Sequence, residues 1–200
     1  MRSARLPSIW YRLLYSYVNS FKAIKLTHYK RLLQVLTSLP PLEAVVDIGA
    51  GYGIIADLIH QRIGVLYLIE KNPALLEKLA GKTFELGNVN TILADALYLP
   101  FRNDFADLVY FYDSFDEITD KILALKEAAR IVKREGHIAL LDWDRGRLIA
   151  RIKEFLLKKT GFPVNCWNLE ETISVIRRIG LRIVVAKSNL DGSMTILAKK

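Results

Sequence analysis

Five short runs rich in apolar residues, Ala44–Ile48, Val65–Ile69, Val89–Ala94, Ala106–Tyr112 and Ile138–Leu141, are separated by stretches with apolar residues at helical spacing, near 53–63, 73–81 and 117–134. A strand that is apolar along its whole length has to be covered on both faces. Parallel strands joined by helices provide that cover. The end of the chain has a different rhythm. A helix near 168–179 stops at Gly180, and the runs Leu181–Ala186 and Met194–Ala198 flank a short turn at Asp191-Gly192. Strands joined so tightly are antiparallel. The pattern predicts an α/β fold with a doubly wound, mostly parallel sheet and an antiparallel last strand.

Ahead of the first run, the pattern is helical. Pro7-Ser8 opens a stripe of Trp10, Leu13, Leu14, Tyr17, Val18, Phe21 and Ile24, and Thr27 is placed to cap a second helix that Pro40-Pro41 stops. We therefore expect an N-terminal helical cap over residues 1–43 and one main domain over 44–200. The lone Cys166 excludes an internal disulfide and a cysteine-built zinc site, and no metal-ligand spacing occurs. Arg12 breaks the only candidate signal segment, and no apolar run is long enough to span a bilayer. A cytoplasmic protein is expected.

Of the 200 residues, 29 are Lys or Arg and 21 Asp or Glu, a formal charge of +8. The excess is unevenly placed. Residues 1–44 hold seven basic and one acidic side chain and residues 145–160 hold six and one, whereas the middle of the chain is acidic. The positive charge thus belongs to two peripheral segments, one of them a basic helical insertion at about 145–167.

Val45-Val46-Asp47-Ile48-Gly49-Ala50-Gly51-Tyr52-Gly53 lies where the first strand passes into a helix. Glycines there allow a sharp turn and let backbone N–H groups approach a ligand at a helix N-terminus. A dinucleotide turn needs a third glycine where Ile54 stands, and no Gly-Lys-Ser/Thr follows, so NAD and ATP are disfavoured. The segment resembles the first motif of the class I S-adenosylmethionine-dependent methyltransferases, in their small-molecule-type branch, with a Rossmann-like core. Glu70 at the end of the second run and Asp95 in Ala94-Asp95-Ala96-Leu97-Tyr98-Leu99-Pro100-Phe101 continue it in order, as do Asp107–Tyr110 and Leu125–Gly136. The resemblance implies S-adenosylmethionine as cofactor, held by Asp47, Gly49, Ala50, Gly51, Gly53, Glu70, Asp95 and Ala96. It assigns Glu70 to the ribose hydroxyls and Asp95 to the adenine amino group, with Asp47 orienting the glycine loop. A carboxylate accepting two hydroxyls suits a diol.

Methyl transfer asks the protein for positioning, desolvation and in some cases removal of a proton. Tyr112, Asp113 and Trp143, at the ends of two adjacent strands, are the candidates to contact the acceptor, with Asp113 as base. His28 of the N-terminal cap is a further residue able to reach that end. Two family patterns are missing after the fourth strand: the Asn/Asp-Pro-Pro-Tyr/Phe of many base and protein amine methylators, and the histidine of many small-molecule enzymes. We expect an enzyme that methylates a small or lipid-like acceptor by in-line displacement. An RNA or protein methyltransferase using the basic cap, a cofactor-binding partner subunit without activity, and an aminopropyltransferase suggested by Asp113-Ser114-Phe115-Asp116 are the alternatives. RNA or an anionic membrane surface would meet residues 1–44 and 145–160.

Overall fold

Consecutive parallel strands need a crossover that returns the chain to the same end of the sheet, and here helices provide it. In the computed structural model, which describes residues 22–200, the order is α1 (Lys22–Ser38), β1 (Ala44–Ile48), α2 (Ala56–Ile59) with a 3-10 turn at His60–Arg62, β2 (Val65–Glu70), α3 (Pro73–Thr83) and β3 (Val89–Leu93). There follow β4 (Ala106–Tyr112), a 3-10 turn at Phe115–Glu117, α4 (Lys121–Ile131), β5 (Val132–Trp143), α5 (Leu148–Lys159), α6 (Leu169–Arg178), β6 (Arg182–Ser188) and β7 (Ser193–Lys199). The seven strands run in the order β3-β2-β1-β4-β5-β7-β6. Only β7 opposes its neighbours, pairing antiparallel with β5 and β6.

The middle of the sheet is covered on both sides, which is why β1 and β4 are apolar along most of their length, whereas the edge strands β3 and β6 are half-buried to exposed. Val46, Ile48, Val109, Phe111, Ile138 and Leu140 pack against Leu125 and Ala128 of α4 and Ile173 and Ile176 of α6. The alternate residues Val45, Leu66, Leu68, Leu108 and Leu141 pack against Leu32 and Leu36 of α1, Ile59 of α2 and Leu79 of α3. Arg31 fastens α1 to the β6–β7 turn by an ion pair to Asp191 at 2.7 Å and a hydrogen bond to Ser193 Oγ at 2.8 Å.

Apolar periodicity marks helix faces, while capping fixes helix ends, and the differences from expectation follow from that. Thr27 does not open a helix: α1 already runs from Lys22, and Thr27 lies inside it. Nearly all of the stripe from Trp10 onward falls outside the described residues. The pattern near 117–134 shrinks to α4 because the Asp120 side chain accepts the Leu123 N–H at 2.9 Å, while Val132 already belongs to β5. The pattern near 53–63 yields only α2 and its 3-10 turn, and the Asn88 amide donates to the carbonyls of His60, Ile63 and Gly64 just beyond. The expected insertion at 145–167 is helical only over α5.

Leu125 is fully buried between α4 and the sheet. Leu125→Ala should lower the unfolding free energy by about 2–5 kcal/mol in urea titrations, the range for emptying a leucine site that cannot collapse.

Candidate active site

The ends of the parallel strands meet the crevice where open α/β sheets bind ligands. There the glycine loop is stitched to β2: the N–H groups of Gly49 and Ala50 both donate to Ile69 O, at 2.9 and 3.0 Å. Glu70, nearly buried, accepts the Gly51 N–H at 3.0 Å through Oε2 and the Asn72 N–H at 2.8 Å through Oε1. The three glycines of the loop, Gly49, Gly51 and Gly53, all hold a left-handed backbone. Gly49, at φ 79°, would place a Cβ 2.6 Å from that of Ser114, whose hydroxyl donates to Ile48 O. At Gly51, by contrast, an added Cβ would meet only open space.

Asp47 lies beneath this loop, opposite Tyr110 across the β1–β4 pair. It is buried, its Oδ1 lacks a hydrogen-bond partner, and so does the Tyr110 hydroxyl. Burial pushes the Asp47 carboxyl up to about 7, the nearby phenol opposes the rise, and the charge of Glu70 adds to it. A buried carboxyl with an orphaned oxygen under an open glycine loop fits a cationic, hydroxyl-bearing ligand. S-adenosylmethionine carries an ammonium, a sulfonium and a ribose diol, so these residues fit it. Asp95 follows β3 on an exposed turn, where its Oδ1 accepts the Leu97 N–H at 3.0 Å, with Ala96 beside it.

At the ends of β4 and β5 the structure brings Tyr112, Asp113 and Trp143 together. Trp143 is buried, and its indole N–H donates to Asp113 Oδ1 at 2.6 Å. Asp113 holds a left-handed backbone, φ 51°, which a non-glycine residue adopts only where its surroundings enforce it. His28 reaches the same place from α1. Its ring meets Trp143 edge-on at 5.7 Å between centroids and Tyr112 at 6.4 Å, and its Nε2 is buried without a partner. Burial holds His28 below its usual pKa, partly offset by Asp113 and Asp191 and reinforced by Arg31 and Lys153.

Lys153 completes the network, and sequence reasoning missed it. It counts as one of six basic residues on a helix, yet it turns inward, 2.8 Å from Asp116 and 3.5 Å from Asp113, over the Trp143 ring at 4.5 Å. Burial alone would lower its pKa, but Asp113, Asp116 and Asp142 raise it. Asp142 accepts the N–H groups of Ser114 and Phe115 at 3.0 and 2.7 Å, which orders the turn after β4. Only the alternation of α5, with Lys153 one residue from Glu154 and three from Ala150, could have marked that inner face. Glu117 is a second residue not singled out from sequence. Although solvent reaches it, desolvation and then the charge of Asp116 push its carboxyl up to about 7. Cys166 is buried against Asp116, and burial pushes its thiol up, as expected of an inert cysteine. Among the described residues no cluster of potential metal ligands occurs.

Residues 46–140 match the family model of a methyltransferase domain. With the sheet order and the glycine loop, this places the chain among the class I S-adenosylmethionine-dependent methyltransferases. The chain is 29% identical over 124 residues to the ubiquinone/menaquinone biosynthesis C-methyltransferase UbiE of Teredinibacter turnerae, covering 58% of this chain and 49% of that protein. It is 41% identical over 171 residues to a Thermococcus onnurineus protein assigned as ribosomal RNA small subunit methyltransferase A, covering 79% and 55%. The chain thus spans about half the length of these curated relatives. In fold it is similar to a solved Haloferax volcanii complex between the Trm112 methyltransferase activator and a protein assigned as a methyltransferase, with a TM-score of 0.77, 17% identity, and 90% and 93% of the two chains covered.

Removing Lys153 would leave the buried Asp116 without its cation. Lys153→Met should therefore destabilise the fold by about 3–5 kcal/mol in chemical denaturation, several times the loss from removing an exposed lysine such as Lys126.

Proposed function

We propose that this protein transfers a methyl group from S-adenosylmethionine to a small or lipid-like acceptor bearing an ionisable hydroxyl. The observation that carries the acceptor side is the uncommitted His28 Nε2 between the rings of Tyr112 and Trp143. Asp113, expected from sequence to act as base, already accepts the Trp143 N–H and faces Lys153. We assign it to positioning.

Asp47, Gly49, Ala50, Gly51, Gly53 and Glu70 would hold the cofactor's amino-acid and ribose portions, and Asp95 and Ala96 its adenine. Bound there, the cofactor supplies a methyl group on a positively charged sulfur. His28, neutral at pH 7, takes the hydroxyl proton of the acceptor. That would leave the acceptor's electron pair free to take the methyl group, whose former bonding pair would stay with the sulfur, and His28 would return the proton to water. A histidine from α1 would thus stand in for the one missing after β4. The Teredinibacter relative is named for ubiquinone/menaquinone biosynthesis, and the reduced, hydroquinone form of such a ring carries hydroxyls of this kind.

RNA is the second reading, favoured by the Thermococcus relative. Against it stands the use made of the basic insertion. Lys153 is interior, Arg147 donates to Ser188 Oγ and O, Arg151 to Arg145 O, and Arg145 and Lys158 both pair with Glu154. That leaves Arg151 and Lys159 as the exposed charges of the insertion without an acidic partner among the described residues, too few for a run of backbone phosphates.

Calorimetry tests the cofactor side. Glu70→Ala and Asp95→Ala should each weaken S-adenosylmethionine binding by about tenfold or more; unchanged affinity in both would refute the assignment. A cation beside Asp47 favours its ionised form, so binding at pH 7 should release up to about half a proton, seen as a buffer-dependent enthalpy that Asp47→Asn abolishes. With a short-tailed naphthohydroquinone as acceptor, His28→Gln should lower kcat by about a hundredfold and remove the loss of rate on acidification below the histidine pKa. Cofactor affinity should stay the same. If Glu117→Gln removes that limb instead, Glu117 is the base.

A further inference from the structure

The outer face of α5 is apolar and bare. Leu148, Ile149, Ile152, Phe155 and Leu156 are all exposed, Leu148 by 70% and Phe155 by 57%, and Phe162 continues the patch beyond the helix end. At 100° per residue these five fall within one sector about 120° wide. The opposite side faces the protein, with Ala150 and Glu154 buried and Lys153 reaching Asp116. This is the reverse of an ordinary surface helix, whose charged side faces water, and a contiguous apolar patch of this kind marks an interaction site.

The charges around the patch select the partner. Glu154, the only acid between 145 and 160, is turned inward and pairs with Arg145 and Lys158, so the charges left to the rim are Arg151 on one flank and Lys159 at the C-terminal end. Lys159 lies over the exposed Phe155 ring at 4.6 Å, its stem along the apolar face. Leu, Ile and Phe at the centre with Lys and Arg beside them is the arrangement of a helix lying in the plane of a bilayer surface with anionic headgroups. An RNA backbone would meet hydrocarbon where it needs cations.

From these observations we infer that α5 docks the protein on an anionic membrane surface, with its outer face among the headgroups. The inference builds on the acceptor reading and gives it a route. The inner face of the same helix carries Lys153 to Asp113 and Trp143, so the acceptor end lies about one helix diameter, roughly 10 Å, from the bilayer. An acceptor with a lipid tail could enter while its tail stayed in the membrane.

Sedimentation of the full chain with vesicles of phosphatidylcholine and phosphatidylglycerol, against phosphatidylcholine alone, tests the inference. Binding should require the anionic lipid and weaken as salt rises. The double variant Ile152→Glu/Phe155→Glu should bind at least about tenfold more weakly, and Arg151→Gln and Lys159→Gln roughly fivefold more weakly each, with melting temperature and S-adenosylmethionine affinity unchanged. No binding, or equal binding by the double variant, overturns the inference. So does a dimer in analytical ultracentrifugation that the double variant abolishes without any vesicle binding, because the face then meets a second copy. Methylation of a water-soluble, short-tailed naphthohydroquinone reports on the acceptor reading separately. If it persists without vesicle binding, only the docking fails; if vesicles bind but no hydroquinone is methylated, only the acceptor reading fails.

Discussion

The carboxylate of Glu70 holds the ends of β1 and β2 in register by accepting backbone N–H groups from both Gly51 and Asn72. Each of those donors belongs to a different strand–helix connection, so one side chain couples the glycine loop to the start of α3. The Asn72 side chain then caps α3, with Pro73 in its first turn, and Lys82 near the far end of that helix bonds the Gly53 carbonyl and pairs with Asp57 of α2. The loop is closed from both sides by contacts that do not involve a ligand. Preorganisation of this kind would spare a cofactor bound there the cost of ordering its own site. It also keeps Asp47 under a dry, rigid cover, the condition that raises its pKa.

A second polar network organises the other half of the crevice. Three aspartates, Asp113, Asp116 and Asp142, would repel one another across the ends of β4 and β5 without buried cations; Lys153 from α5 pairs with two of them, and the buried Lys121 of α4 adds its charge near Asp116 and Asp142. That arrangement binds an inserted helix to the core by charge, so its outer side is left free for another purpose. It also fixes the carboxylate to which the Trp143 indole is hydrogen-bonded, and with it the ring that His28 packs against. The proposed acceptor side of the crevice is therefore assembled from three peripheral pieces, α1, the turn after β4, and α5, around one ion-pair network.

The sheet and its two covered faces were legible in the sequence because burial on both sides leaves a periodicity-free apolar run, and β1 and β4 begin and end where those runs do. The glycine loop was legible through its spacing, and Glu70 was singled out through the family resemblance and its place at a strand end. Helix ends were not, since Asp120 and Asn72 act through side-chain geometry that composition does not encode. The role of Lys153 was hidden for a related reason. A lysine between Ile152 and Glu154 in a basic stretch reads as solvated, and only three aspartates distant in sequence reveal that it is not. The placement of His28 was open from sequence because it depends on how α1 crosses β5 and β7.

The central claim is that the crevice delivers a methyl group to a small or lipid-like molecule. It is tested most directly by supplying the protein with S-adenosylmethionine labelled in its methyl group, together with fractionated extract of the cells that make it. The account predicts label in the small-molecule or organic-extractable fraction, formed together with S-adenosylhomocysteine and lost with His28→Gln. Label confined to RNA or protein, or no S-adenosylhomocysteine with any fraction, would contradict it.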